Sequence, residues 1–258
     1  PTFESPAARA RQLERPVTEL PVDPRTLALD LDTLAERARG AGLVFLCNPN
    51  NPTGLLHSGK AIRDFVARVH AVSPETHVLV DEAYHDYVDD PAYETAVPLA
   101  LADPRVFVTR TFSKAYGMAG IRLGYAVGRP ETMKRLAPWR LGNSVNLLAM
   151  AAGRAAVGAE AALAAERARN AAARAFTAKL FADLGFTVAP SQANFVFVDI
   201  RRDAKAFQEA CRAAGVMVGR AFPPCDTWTR VSIGTMAEME RAAGVFRALL
   251  APAPSAAR

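Results

Sequence analysis

Cysteine is scarce in this chain, and what there is does not pair. Cys47, Cys211 and Cys225 are odd in number, far apart and outside any metal-ligand spacing. That argues against a disulfide framework and for unpaired thiols in a reducing compartment. The only histidines are His57, His70, His77 and His85, with no paired-ligand spacing, so no metal site is expected. Charge of one sign is not concentrated either. The net charge is +5, and Lys and Arg spread along the whole length with no dense basic run. Nucleic acid is therefore not expected as a partner, while small anionic substrates are favoured. No apolar run approaches the roughly 20 residues that span a bilayer, so no membrane association is expected. The chain begins at Pro1, and Pro1-Thr2-Phe3-Glu4 is not a targeting signal. The expected location is cytoplasmic, with an upstream signal left open.

What is present is a large apolar fraction, 50% of 258 residues, enough for one large or two modest domains. Asp30 can cap a helix whose Leu31, Leu34, Ala35 and Ala38 share one face. Leu43 to Cys47 is an unbroken apolar run, the pattern of a strand covered on both faces. A Pro/Asn/Gly turn follows, and Ser58 then caps a helix with Ile62, Phe65, Val66 and Val69 inward. His77 to Val80, ending at Asp81, Val106 to Thr109 and Ile121 to Val127 read as three more strands. Short apolar strands alternating with helices indicate an α/β fold with a mainly parallel sheet flanked by helices.

Residues 144–182 are rich in alanine and predict long helices packed closely through small side chains. A smaller α+β unit follows. Phe195 to Ile200 and Thr229 to Ile233 are its strands. Asp203 caps a helix with Phe207, Ala210, Cys211 and Ala214 inward, and Gly215 stops it. Thr235 and Glu238 form a capping box that opens a last helix through Leu250. The tail from Ala251 to Arg258 is expected to fray. The domain division is 1–140, 141–182 for interdomain helices, and 183–258 for a small C-terminal domain.

Chemistry concentrates in Thr111-Phe112-Ser113-Lys114-Ala115-Tyr116-Gly117-Met118-Ala119-Gly120-Ile121-Arg122. One lysine sits in a small-residue turn just after a strand, with an arginine eight residues on. A lysine so placed can be held against an aldehyde, while an arginine and two hydroxyls grip a phosphate. Pyridoxal 5'-phosphate needs both, because its aldehyde forms a Schiff base with lysine. Asn51, Asp81 and Lys114 each fall just past a strand or its following turn. In an open α/β sheet that carboxyl edge is where ligands bind. Taken singly, each residue has a plainer use. Asp81 suits a helix N-cap, Asn51 a turn before Pro52, Tyr84 a core, Thr111 or Ser113 a turn cap, and Arg230 a strand surface.

Four motifs in order remove much of that ambiguity. They are Asn48-Pro49-Asn50-Asn51-Pro52-Thr53-Gly54, Asp81-Glu82-Ala83-Tyr84, the lysine segment, and Arg230-Val231-Ser232-Ile233-Gly234-Thr235. Together they resemble the class I/II aminotransferases of the fold-type-I pyridoxal-phosphate enzymes, closest to the histidinol-phosphate aminotransferase branch. The resemblance runs from Pro1 to about Leu250. It implies that residues 1–140 are the remainder of a large cofactor-binding domain. It further implies that Lys114 is the Schiff-base lysine and proton shuttle, and that Asp81 pairs with the pyridine nitrogen. Asn51 and Tyr84 would donate to the ring's phenolic oxygen, and Thr111, Ser113 and Arg122 would anchor the phosphate. Arg230 would bind the substrate's carboxylate or phosphate, with Asn194 at the start of a small-domain strand beside it. Glu82 is given no role. The partners implied are an amino donor, amino acid or amino-alcohol phosphate, and a 2-oxo acid acceptor, in a homodimer.

The chain also departs from the family pattern. No glycine-rich phosphate loop and no ring-stacking aromatic precede Asn48. The expectation is that these residues are the remainder of a longer protein. Alone, they should lack cover on one face of the sheet and bind the cofactor weakly or not at all. Two alternatives share the cofactor motifs or the fold: a decarboxylase or lyase, and an aminotransferase-like sensor domain of a transcription regulator.

Overall fold

The computed structural model describes residues 1–251, so most of the expected frayed tail, from Pro252 onward, lies outside the described residues. A short helix α1 (Ser5–Gln12) and an extended segment lead to α2 (Leu31–Arg37), capped by the Asp30 carboxylate on Thr33 N–H. Then come β1 (Leu43–Cys47), α3 (Gly59–Val72), β2 (His77–Asp81), α4 (Val97–Ala102), β3 (Val106–Thr111), β4 (Gly124–Val127) and α5 (Pro130–Leu136). The four strands form one sheet in the order β1-β2-β3-β4. β1, β2 and β3 are parallel and β4 is antiparallel.

One sheet face is built as its apolar periodicity dictates. Val44, Leu46, Val78, Val80, Val106 and Val108 form a core with Ile62, Phe65, Val66 and Val69 of α3, Ala35 of α2 and Ala100 of α4. The other face lacks cover, as expected for these residues alone, and differs from the reading of Leu43 to Cys47 as covered on both sides. Burial alternates along β1 and β2, Leu43 is 48% exposed, and Phe45 and Leu79 are only partly covered. An unbroken apolar run shows what a strand tolerates, whereas the cover it receives depends on what packs above it. The fourth strand also starts later than its apolar pattern predicts. Arg122 takes a left-handed conformation, φ +61°, after a short 3₁₀ turn, so Ile121 to Leu123 cannot join the ladder.

The chain continues through α6 (Leu147–Val157) and α7 (Glu160–Asp183) to β5 (Thr187–Val188), β6 (Phe195–Asp199), α8 (Ala204–Ala213), β7 (Trp228–Ser232) and α9 (Met236–Leu250). The second sheet is antiparallel, in the order β5-β6-β7. Its core joins Val196, Val198, Val231, Phe207, Cys211, Phe181 and Phe246. Gly215, at φ +80°, ends α8 as expected, but Ala214 beside it is exposed rather than inward. The capping box of Thr235 and Glu238 opens α9. Close packing through alanine holds only for the second half of α7, where Ala173, Thr177, Leu180 and Phe181 are buried. α6 buries only Ala149 and Gly153, and Leu147 and Leu148 are each 75% exposed. Trp139 is 86% exposed.

Candidate active site

Strand register sets the first part of the site. Parallel pairing places Asp81 directly between Cys47 of β1 and Thr109 of β3 at the carboxyl edge of the sheet. The Thr109 hydroxyl donates to Asp81 Oδ1 at 3.0 Å, and Cys47 Sγ stands 3.9 Å from Oδ2. Burial raises the Asp81 pKa. The Thr109 hydrogen bond, the Ala83 N–H and the Lys114 charge pull it back, and the Glu82 charge pushes it further up.

Glu82, one residue on, points the other way and has a structural use that the sequence did not reveal. It is 1% exposed, accepts from Thr95 and Ala96 N–H, and pairs with Arg110 of β3 at 2.8 Å. It thereby ties the end of β2 to β3 and to the segment opening α4.

The lysine turn is held at both ends. Thr111 Oγ1 accepts from Ser113 N–H at 3.0 Å, and Gly117 N–H closes the turn onto Lys114 O at 2.8 Å. Gly117 has φ +68°, a conformation that glycine adopts without strain. Ala115 packs with Tyr84, Tyr87 and Phe195 beneath. This anchoring turns the Lys114 amine inward, 5.3 Å from the centroid of the Tyr84 ring. Its pKa is lowered first by burial and then by the Arg230 cation, against the opposing pull of Asp81.

The second sheet supplies the far wall. Tyr84 meets Phe195 edge to face at 5.2 Å, and burial raises the Tyr84 hydroxyl's pKa far above its ordinary range. Arg230 of β7 reaches across to the first sheet, where its Nη1 donates to Asn51 Oδ1 at 2.5 Å. Its guanidinium lies 5.3 Å from the Phe195 ring and 5.0 Å from the Phe222 ring. Its buried Nε has no hydrogen-bond partner among the described residues. Gly219 passes directly over it. A Cβ at Gly219 would stand 2.8 Å from Arg230 O, so glycine is required there by close approach.

Arg220 was missed by sequence reasoning. It stacks on the opposite end of this arrangement, 4.3 Å from the Phe222 ring, pairs with Glu4, and its charge lowers the Arg230 pKa. A lone arginine in an irregular segment carries no sequence signal.

The structure thus brings Asn51, Asp81, Tyr84, Lys114 and Arg230 near one another. Thr111 and Ser113 are bonded to each other at the start of the lysine turn. Arg122 is exposed, with Nη1 donating to Ala119 O at 2.6 Å, although its charge is still felt at Lys114. Asn194 contributes its carbonyl, which accepts from Ile233 N–H at 2.8 Å and joins β6 to β7. A cleft of about 460 Å³ lies elsewhere, along α7. Its one buried cation, Arg174, is already committed to Asp89 at 2.7 Å and Ala193 O at 3.2 Å.

These residues fit pyridoxal phosphate. A buried carboxylate pushed toward protonation is relieved by a protonated ring nitrogen.

Comparison with known proteins agrees in kind. The family described as aminotransferase class I and II matches residues 1–246. A histidinol-phosphate aminotransferase of Anaeromyxobacter sp. is 40% identical over 238 residues, 90% of this chain and 64% of that protein. An aromatic amino acid aminotransferase of Corynebacterium jeikeium is 41% identical over 216 residues, 81% of this chain and 55% of that one. The crystal structure of histidinol-phosphate aminotransferase from Sinorhizobium meliloti in complex with pyridoxal-5'-phosphate superposes with a TM-score of 0.85. It shares 27% identity, over 96% of this chain and 69% of that one. The chain spans between 54% and 64% of the length of the curated relatives it matches.

Proposed function

This chain belongs to the class I and II aminotransferase family, and on that basis we propose a pyridoxal-phosphate-dependent aminotransferase. It would move an amino group between an amino acid, or an amino-alcohol phosphate, and a 2-oxo acid. The observation that carries this reading is that Asp81, at the carboxyl edge of the sheet, and the inward-turned Lys114 amine stand near enough for each charge to act on the other. The amine's pKa is lowered by burial and by Arg230, while the carboxylate's is raised by burial.

Bound there, pyridoxal phosphate supplies an aldehyde for the amino group and a ring that accepts the electron pair released at the donor's α-carbon. The chain's own residues do the rest. Lys114 would hold the aldehyde and, as a neutral amine, take up and return the proton at the donor's α-carbon. Asp81 holds the proton on the ring nitrogen. Asn51 and Tyr84 donate to the ring's phenolic oxygen. Thr111, Ser113 and Arg122 would hold the phosphate. Arg230 grips the donor's anionic group through its two-pronged fork, with Asn194 and the Phe195 and Phe222 rings beside it.

Donors named for the relatives, histidinol phosphate and aromatic amino acids, both carry an anion and a flat ring, which suits this wall. The two sheets, on either side of α6 and α7, support a division at 1–140, 141–182 and 183–258. The exposed apolar side chains of Trp139, Leu141, Leu147 and Leu148 support a homodimer. We place the protein in the cytoplasm, with no nucleic-acid or membrane partner.

The test is a half-reaction. With cofactor and donor but no acceptor, the protein should release one equivalent of 2-oxo acid (or of the aldehyde from an amino-alcohol phosphate) per bound cofactor and then stop. Release of carbon dioxide instead would mark a decarboxylase, and no turnover would favour the sensor-domain reading. Arg230→Ala should raise KM for the anionic donor by about 10- to 100-fold, the worth of roughly 1.5–3 kcal/mol for hydrogen bonds to a charged group. Arg230→Lys should fall between, because it keeps the charge and loses the fork. Steady-state kinetics with histidinol phosphate and with phenylalanine reads both variants.

A further inference from the structure

We infer that Thr109 is a positioning residue for Asp81, fixing the plane in which that carboxylate meets the ring nitrogen; the inference rests on the cofactor reading above. Side chains alternate along β3. Val106 and Val108 are fully buried in the sheet core, which leaves Phe107, Thr109 and Thr111 on the face that carries Asp81. An apolar residue at position 109 would satisfy the strand equally well. Threonine adds one hydroxyl there, and that hydroxyl makes a single hydrogen bond among the described residues, to Asp81 Oδ1 at 3.0 Å. The β-branch stiffens the side chain, so the donor arrives already oriented.

The other flank cannot do the same work. Cys47 Sγ is 3.9 Å from Oδ2 but only 3.2 Å from Pro49 O, so the thiol proton has a nearer acceptor. The charged and titratable groups that act on Asp81 or feel its charge are Glu82 just past its own strand, Cys47 on β1, Lys114 after β3, and Tyr84. Among the influences that favour the ionised carboxylate, the Thr109 hydrogen bond is the largest, ahead of the Ala83 N–H and the Lys114 charge. Removing it leaves burial less opposed.

The experiment compares Thr109→Val, which keeps the shape and removes the hydroxyl, with Thr109→Ser, which keeps the hydroxyl. The Asp81 carboxyl carbon is followed by NMR in the cofactor-free full chain with ¹³C-labelled aspartate, assigned with Asp81→Asn. The titration midpoint should rise by about one pH unit in Thr109→Val, the worth of one hydrogen bond to a charged group. In Thr109→Ser it should stay near the parent. The dissociation constant for pyridoxal phosphate at neutral pH should weaken by about tenfold in Thr109→Val and recover in Thr109→Ser. Should Thr109→Val not fold, Thr109→Ala removes the same hydroxyl and is read the same way. The inference is overturned if the hydroxyl-free variant titrates with the parent, or if Thr109→Ser shifts as far as it does. Because the titration is read without cofactor, its failure is separate from a failure of the parent protein to bind pyridoxal phosphate. That second result would count against the cofactor reading instead.

Discussion

Lys114→Ala should lower the rate of 2-oxo acid release by at least about a thousandfold, within the range that a positioned proton-transfer group supplies. The size of the effect follows from what nothing nearby can replace. Tyr84 faces the same space, but its hydroxyl is held far above its ordinary pKa and cannot act as a base near neutral pH. Asp81 is committed to Thr109 on the ring-nitrogen side. Lys114→Arg should be as inactive as the alanine variant, since a guanidinium keeps the charge but cannot give up its proton. That pair of variants separates a need for a neutral amine from a need for positive charge.

A pH profile adds a sign. The neutral amine is the working form, so the rate should rise with pH through the lysine's titration. That titration lies below the ordinary lysine range, because burial and Arg230 disfavour the charged amine. Arg230→Gln removes one of those two causes and should move the rise to higher pH. Single-turnover measurements across pH with a saturating donor read both effects. A Lys114→Ala protein that kept a tenth of the parent rate would end the assignment.

Asp81→Asn should show two effects of opposite sign. A carboxylate about 4 Å from a protonated ring nitrogen contributes on the order of 4 kcal/mol at an effective dielectric near 20. Its loss corresponds to roughly a thousandfold in rate, together with weaker cofactor binding. Asparagine nearly preserves the shape and can still accept from Thr109, so the loss would be electrostatic.

Stability of the cofactor-free protein should behave differently. A carboxyl whose folded pKa is raised contributes stability below its unfolded pKa and loses it as pH rises through the folded value. At neutral pH the ionised Asp81 therefore works against folding, with burial as the first cause. Asp81→Asn relieves it, so the variant should unfold at the same temperature as the parent or higher at pH 7. Relative to the parent, it should lose that advantage toward acid pH. Thermal unfolding at both pH values, beside cofactor titration, checks the pair. A variant that is less stable at pH 7 without cofactor, yet binds the cofactor normally, would contradict both halves of the argument.

Part of this site was legible before any coordinates. Asp81 ends a buried apolar run, Asn51 lies in a Pro/Asn/Gly turn after another, and Lys114 follows a third. Strand periodicity alone puts those ends on one sheet edge. Capping residues were readable for a similar local reason: Asp30, Ser58, Asp203 and Thr235 each bond an N–H three residues on. The failures were of another kind. Cover on the second face of the sheet, the exposure of α6 and the exposure of Trp139 depend on what packs there, and no strand or helix pattern encodes its neighbour. The late start of β4 turned on one left-handed residue, Arg122, whose type gave no warning. Arg220 and Thr109 acquire meaning only beside Phe222 and Asp81.

The sequence by itself determined the main strands, the four capped helices, the sheet edge on which the chemistry gathers, and the residue types offered there. These follow from interactions a few residues long: periodicity, caps and turn chemistry. The tertiary structure alone decided that Arg230 would meet Asn51 across 179 residues. It likewise decided that Glu82 would serve as a clamp beside a functional Asp81, and that the two titrating groups would have their pKa values displaced by burial. Burial and long-range contact arise from the whole packed chain, and a neighbour in space leaves no fixed spacing in the sequence.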